Sequence, residues 1–407
     1  MFYIYIKFKT LFEIICDCHF FKNFKAHQAL MASSMGEDNT FTVTPWEVRG
    51  EIDYDLLIEK FGTKRIDSDL VDRMAKYGPI HPLMRRGVVY SHRDMNWVLD
   101  RYDAGEPFYL YTGRGPSGQT HLGHLMPWIF TKHLQDVFNV PLYFQLTDDE
   151  KFLFNEELTL EDTHEMAYQN MLDVIAIGFD PSKTQIFLDT EYIHNLYPFA
   201  LQVAKKITFS TARAVFGFEN STNIGSIFYT SIQAAPAFLG SAHAGRNLPC
   251  LIPCGIDQDP HFRVARDIAP SLGYYKPALL HNKMFPGLGG GDKMSSSQPS
   301  NTIFTTDSPK VVRKKINTAF TGGAVTVEEQ RKSGGKPEVC SVFKYKFYLF
   351  EADDQKLDEL YDKCKKGEIL CGECKKSLGN AVVAFLEKHQ EAREKAKDHI
   401  DDFILRD

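Results

Sequence analysis

No run in the first thirty residues is long and uncharged enough to span a bilayer. MFYIYIKFKTLFEIICDCHFFKNFKAHQAL is aromatic but broken by Lys7, Lys9, Glu13 and Asp17. The segment is neither Arg-rich nor poor in acids, as organelle targeting peptides are, and nothing in it resembles a cleavable secretion signal. Met31-Ala-Ser-Ser-Met35 then opens a polar stretch that reads as an ordinary protein start, so residues 1–30 are expected to be a dispensable extension. Eight cysteines lack the regular spacing of a small secreted scaffold, which implies a reduced, intracellular setting. Cys371-x-x-Cys374, with Cys364 nearby, shows no evident fourth ligand and opens a helical stretch from Glu373 to His389, so inert thiols are expected there and no metal. Repeats and low-complexity tracts are absent as well, which leaves a folded globular chain. A net charge of −6 does not advertise a nucleic-acid partner, yet between Lys310 and Lys346 nine Lys/Arg stand against three Glu, a local balance of +6. A phosphate-facing surface would gain from this, and a solvated helix face has the same composition.

What is present is an ordinary enzyme composition, 43% apolar and 25% charged, over 407 residues, enough for two or three domains with sizeable cores. From Pro107 onward, short apolar runs alternate with helical patterns. PFYLYT, VPLYFQLT (140–147), IFLDT (186–190), LPCLIPC (248–254) and PALLHN (277–282) read as strands, with helices over 121–138 and 160–177. Continuous apolar strands alternating with helices imply an α/β fold whose parallel sheet is covered on both faces. Ligands in such sheets bind beyond the carboxyl ends of the strands. After Ser308-Pro309, an N-cap followed by proline, the pattern becomes almost wholly helical. The expected division is an extension over 1–41, a nucleotide-binding domain over 42–304 and a helical domain over 305–407.

Three strand ends carry motifs that make sense together. Gly113-Arg114-Gly115-Pro116-Ser117 precedes His121-Leu122-Gly123-His124, whose histidines share one face of a first helical turn that already favours anions. Gly123 leaves room for a flat ring such as adenine against the backbone. Taken alone, the pattern also fits capping or core histidines. Gly287-Leu-Gly-Gly-Gly-Asp-Lys293-Met294-Ser295-Ser296-Ser297 offers a point charge and three hydroxyls on a glycine-rich loop, which alone would read as a flexible surface loop. Gly255-Ile256-Asp257-Gln258 adds an acid able to accept from ribose hydroxyls. Phosphate donors, a ribose acceptor and an adenine shelf at separate strand ends are together a nucleotide site.

This constellation resembles the class I aminoacyl-tRNA synthetases, with HLGH at 121–124 and KMSSS at 293–297 in place of the two class signatures. The closer resemblance is to the tryptophanyl branch of eukaryotes and archaea, carried by PFYLYTGRGPS, FTKHLQDVFNVPL, TDDEKFLF, IQAAPAF, LIPCGIDQDPHFRVARDIAP and KPALLH. The resemblance implies a Rossmann-like catalytic domain followed by an α-helical anticodon-binding domain. It implies that His121, His124 and Lys293 are catalytic, and that Gly113, Arg114, Gly123, Gly255, Asp257, Met294, Ser295, Ser296 and Ser297 bind ATP. In the tryptophan pocket, Tyr111 and Gln145 would accept the indole N–H, Glu150, Gln233 and Gln258 would hold the ammonium, and Lys151 would meet the carboxylate. ATP with Mg²⁺ as substrate, no tightly bound cofactor, tRNA(Trp) as partner, a homodimer and a cytoplasmic location follow from the same resemblance. Ser296 departs from the general signature, which has a second lysine there, and the loop between Ser117 and His121 is one residue shorter than in many relatives. The rival readings are a tyrosyl-tRNA synthetase, a small nucleotidyltransferase and an inactive tRNA-binding paralogue. The TDDEK, IQAAP and IDQDP blocks and the helical C-terminal region weigh against the first two, and the intact motifs against the third.

Overall fold

A computed structural model describes residues 41–43, 48–50, 52–291 and 293–406, and the expectation for residues 1–30 lies outside them. Nine strands are present among the described residues. They are β1 (Phe41–Val43), β2 (Val48–Gly50), β3 (Lys64–Arg65), β4 (Val89–Arg93), β5 (Tyr109–Arg114), β6 (Leu142–Leu146), β7 (Thr184–Leu188), β8 (Cys250–Gly255) and β9 (Ala278–Asn282). β1 and β2 form a separate hairpin, and the remaining seven make one sheet in the order β3-β4-β9-β8-β5-β6-β7. β5 to β9 pair in parallel, as the alternation of strands and helices requires, while β3 and β4 add an antiparallel edge. Every residue of β6 and β9 is buried, because helices cover both faces. From β5 the chain builds outward to β6 and β7 on one side, then returns to lay β8 and β9 on the other. The order therefore reverses between β5 and β8, and the crevice beyond their carboxyl ends is where a ligand fits.

Eight helices shape that crevice and the C-terminal region: α1 (Leu122–Phe138), α2 (Asp148–Phe154), α3 (Leu160–Ile175), α4 (Ile224–Ala234), α5 (Asp259–Ile268), α6 (Pro309–Asn317), α7 (Asp354–Lys365) and α8 (Cys371–Ala396). α6 begins where Ser308-Pro309 predicts, with Ser308 extended at the N-cap, although its hydroxyl makes no capping bond. One apolar cluster runs from Leu110 and Phe144 under the sheet, through Met294 and Ile316, to Leu378 and Val382 of α8. His389 of α8 bonds Asp173 of α3 at 2.9 Å where both are buried, so α8 ties the helical region to the sheet's covering layer.

The chain end differs from the helical expectation. Ile186 N–H of β7 donates to Phe403 C=O and Leu405 N–H to Ile186 C=O, each at 2.8 Å, so residues 403–405 cover an edge strand that would otherwise present unpaired backbone. Of the nine cations between 310 and 346, Lys310, Arg313, Lys314, Arg331, Lys332 and Lys336 are exposed, whereas Lys346 is buried. Lys315 is likewise committed, to Asp307 at 2.7 Å. Among the described residues no helix is long and apolar enough to cross a membrane.

Candidate active site

In the loop from β5 to α1, Gly115 lies directly against the side chains of Glu150 and Lys151. A Cβ on Gly115 would stand 2.5 Å from Lys151 Cε and 2.6 Å from Glu150 Oε2, so its absence lets the start of α2 fold over the loop. Arg114 is turned inward. Its Nε donates to Asn170 Oδ1 at 2.7 Å, and Asn170 Nδ2 in turn donates to Gly118 C=O at 2.8 Å. Arg114 Nη2 is buried with no partner among the described residues. Burial pulls this guanidinium down to about 10, against the pull of Asp173 and Glu150. It stays charged at neutral pH with a donor unused.

His121 caps α1 and its ring stacks on that of His124, with centroids 3.5 Å apart. The backbone N–H of His121 donates to His124 Nδ1 at 3.2 Å. That nitrogen is therefore the unprotonated one, and a neutral His124 carries its proton on Nε2 as a donor. Burial, then the charges of Arg114 and Lys293, lower His121 to about 3, and burial lowers His124 well below the ordinary value. Both rings are neutral hydrogen-bond donors at neutral pH. A Cβ on Gly123 would stand 3.0 Å from His121 Cε1, so the space expected to take adenine is lined by that imidazole.

Four elements meet in a buried polar chain at the other side of the crevice. Tyr111 O–H of β5 donates to Gln145 Oε1 of β6, and Gln145 Nε2 donates to both oxygens of Asp189, at 2.9 and 2.8 Å, just past β7. From α4, Gln233 Nε2 donates to Tyr111 Oη at 3.1 Å and Tyr229 O–H donates to Gln233 Oε1. Asp189 points Gln145's amide nitrogen backward and its oxygen toward Tyr111. The oxygen so placed accepts from Tyr111 O–H and, at 3.4 Å, from Gln233 Nε2. Beside them Thr147 Oγ1 donates to Glu150 Oε2 at 2.6 Å and Lys151 Nζ to Glu150 Oε1 at 3.0 Å. Burial would raise Glu150, but Lys151 and Thr147 outweigh it and hold the carboxylate below its usual value. Gln258 lies apart from this chain, at the end of the turn Ile256–Gln258, bonded to Asp257.

Asp189 touches Asp149. Burial, then the charge of Asp149, push Asp189 well above the carboxylate range, and burial raises Asp149 to about 7. The folded pair keeps protons that the unfolded chain releases near pH 4. Its contribution to stability is thus present below about pH 4 and is lost as pH rises toward 7. Asp149→Asn is expected to flatten the fall in unfolding free energy between pH 4 and 7 by a few kcal/mol, followed by urea titrations at several pH values. An unchanged pH profile would mean that the pair holds no proton.

The two remaining motifs touch each other. Lys293 Nζ lies 3.6 Å from Asp257 Oδ2, and burial raises Asp257 against the pull of that lysine. A Cβ on Gly255 would stand 2.5 Å from Asp257 Oδ1. Met294 was expected among the ATP contacts, but its side chain is buried in the core and its N–H donates to Phe285 C=O at 2.7 Å. An apolar thioether anchors the loop there. Ser295 and Ser297 hydroxyls pair at 2.9 Å, and Thr302 Oγ1 holds Ser295 C=O at 2.6 Å. Thr305 N–H donates to Thr120 C=O at 2.9 Å and Leu122 N–H to Ile303 C=O at 3.2 Å, which joins the end of this loop to the start of α1. Behind Asp257, Asp259 is buried against Arg93 at 2.7 Å, His281 at 3.1 Å and Arg263 at 3.3 Å.

Sequence reasoning missed Asp189, Asn170 and Asp259, each of which holds another residue in place. Asp189 carries the plainest signal, an acid ending an otherwise apolar strand at the sheet's carboxyl edge.

Comparison with known proteins agrees with this geometry. The family model described as class I tRNA synthetases (W and Y) matches residues 103–387. The chain is 52% identical over 369 residues to the tryptophan–tRNA ligase of Pyrobaculum calidifontis, covering 90% of this chain and 98% of that one. The crystal structure of tryptophanyl-tRNA synthetase from Plasmodium falciparum matches with a TM-score of 0.80 at 43% identity, over 84% of this chain and 94% of that one. That of the tryptophanyl-tRNA synthetase from Encephalitozoon cuniculi bound to tryptophan matches with a TM-score of 0.81 at 39% identity, over 87% and 98%. The chain belongs to the class I tRNA synthetases for tryptophan and tyrosine, within the branch of the tryptophan–tRNA ligases.

Proposed function

We propose that this chain activates L-tryptophan with ATP to the adenylate and pyrophosphate, then passes the tryptophanyl group to the 3′-terminal ribose of tRNA(Trp). The observation that carries this reading is the buried chain Tyr111–Gln145–Asp189 with Gln233, beside the stacked pair His121 and His124. Indole N–H only donates, and the oxygens of Tyr111 and Gln145 are the acceptors that Asp189 and Gln233 orient. Glu150 and Lys151 stand 3.0 Å apart as opposite charges, a match for the ammonium and carboxylate of one amino acid. Gln233 assists at the ammonium, and Gln258 reaches it by turning from Asp257.

The attacking carboxylate is already ionised, so no general base is required. The protein's work is to position it in line with the α-phosphate and to meet the charge that moves onto the leaving pyrophosphate. His121 and His124 donate as neutral rings, Arg114 offers its spare Nη2, and Lys293 leaves Asp257 to reach the phosphates while Asp257 accepts from ribose. ATP arrives with its Mg²⁺ as substrate. The exposed cations of residues 310–336 suit the tRNA backbone, and the helical region 305–407 reads the anticodon. The working unit is a cytoplasmic homodimer.

Pyrophosphate–ATP exchange measured with a panel of amino acids tests this directly. Tryptophan alone should drive exchange, and equal stimulation by tyrosine would overturn the specificity. Gln145→Ala leaves Tyr111, Asp189 and the indole each short of a partner, and should cost about 1–3 kcal/mol in kcat/KM for tryptophan.

A further inference from the structure

One face of α3 holds both the loop before α1 and the helical region. Met166, Asn170 and Asp173 follow one another at helical spacing and form a single stripe. Gly118 N–H donates to Met166 Sδ at 3.4 Å. Asn170, itself buried, uses its oxygen for Arg114 Nε and its nitrogen for Gly118 C=O. The amide cannot turn over without losing both bonds, so Arg114 is held by one edge while its Nη2 stays unused.

Asp173, the next residue of the stripe, is taken up by α8. His389 Nε2 meets its Oδ1 at 2.9 Å and Arg393 Nε lies 3.5 Å from the same oxygen, where the carboxylate and the imidazole are each 3% exposed. Arg393 is fixed in turn, its Nη2 donating to Gln169 Oε1 at 2.8 Å and to Gln169 C=O at 3.4 Å. Asp173 is also the acid whose charge acts most strongly on Arg114, ahead of Glu150. One buried carboxylate therefore stands between two claimants, the cationic side of α8 and the guanidinium of the loop. A buried carboxylate stripped of its partners is costly and pairs with the nearest cation. Here that cation is Arg114, and the donor to hand is the Nη2 that nothing else uses.

We propose that His389 and Arg393 are positioning residues for adenylate formation, which occupy Asp173 and so keep Arg114 Nη2 free for the phosphates. The inference rests on the reading of Arg114 as a phosphate donor. Neither residue acts on substrate; both act through Asp173 and Arg114. On this account the helical region takes part in the first chemical step, before tRNA is bound.

The test is single-turnover formation of tryptophanyl-adenylate by the full chain without tRNA, over a range of ATP and tryptophan concentrations. His389→Ala should slow the step about tenfold or more at saturating ATP, part of the roughly 10²–10³-fold that loss of one such donor costs. KM for tryptophan should not change. Arg393→Gln, the milder change, should show a smaller loss of the same kind, and it carries the test if His389→Ala does not fold. The deciding result is rescue. Adding Asp173→Asn to either variant removes the competing charge and should return most of the rate. If His389 and Arg393 served stability alone, a second change at the same place would leave the rate no better. Unchanged rates in the folded single variants, or no recovery with Asp173→Asn, would overturn the inference and leave the tryptophan reading standing. No adenylate from the unaltered chain would overturn both.

Discussion

Replacing Arg114 with alanine is expected to slow adenylate formation by about 10²–10³-fold in a single turnover at saturating ATP. The signature loop has Ser296 where a second lysine would meet pyrophosphate charge, and Lys293 alone is a thin provision. Arg114 supplies the difference in physical terms. It is a half-buried cation whose Nη2 is buried without a partner, close enough to both histidines to lower them, and Asn170 fixes its other edge. A cation desolvated by the fold and left with an unused donor is poised for an anion that has yet to arrive. Because Arg114 and Lys293 would serve one charge, the double variant Arg114→Ala with Lys293→Ala should lose less than the product of the single losses. A structural role alone would lower the unfolding midpoint and leave the rate of the folded fraction intact. An unchanged rate for Arg114→Ala, or a many-fold rise for Ser296→Lys, would place the compensating charge elsewhere.

The largest loss of stability is expected at Asp259. Burial works against its charge, yet the bonds from His281 and Arg93 hold its carboxylate far below the usual range. Asp259→Asn keeps the shape but leaves Arg93, Arg263 and His281 around a neutral amide, and breaking a buried pair in this way costs about 3–5 kcal/mol. That is a large share of the roughly 5–15 kcal/mol that hold a domain together. The sign follows from linkage. A depressed carboxylate stabilises the fold above its unfolded value near pH 4, and that stability is lost as pH falls through the folded value. Denaturant unfolding at pH 7 should therefore show the full loss, and the difference between the two proteins should shrink in strong acid. A change below about 1 kcal/mol at pH 7 would show that the cations relax to solvent. Since Asp259 anchors the turn carrying Asp257, KM for ATP should rise in whatever fraction folds.

The five central strands were legible because both their faces are buried, so each reads as an unbroken apolar run ended by polar residues. β3 and β4 were not, since Lys64-Arg65 is a pair of exposed cations at the sheet's edge and Val-Tyr-Ser-His-Arg, though largely buried, mixes polar residues into its run. The motif residues were legible as a set, and the structure brings His121, His124, Arg114, Asp257 and Lys293 to one crevice. What could not be read was direction. Nothing in the spacing says that Met294 turns into the core, that Gln258 pairs with Asp257, or that Asp189 reaches back to aim Gln145. Those depend on contacts between residues far apart in the chain. The same reason hid the tail at 403–405, whose pairing with β7 answers an unpaired edge rather than any pattern of its own.

The central claim is that one chain both selects tryptophan and joins it to tRNA. Charging of a tRNA(Trp) transcript, read by the shift of the acylated 3′ end on acid gels with each amino acid supplied in turn, tests both halves at once. Tryptophan with ATP should charge the transcript and tyrosine should not, with charging sharply reduced in Gln145→Ala. Tyrosine charging as readily as tryptophan, or no charging by a folded chain that still binds tRNA, would contradict it.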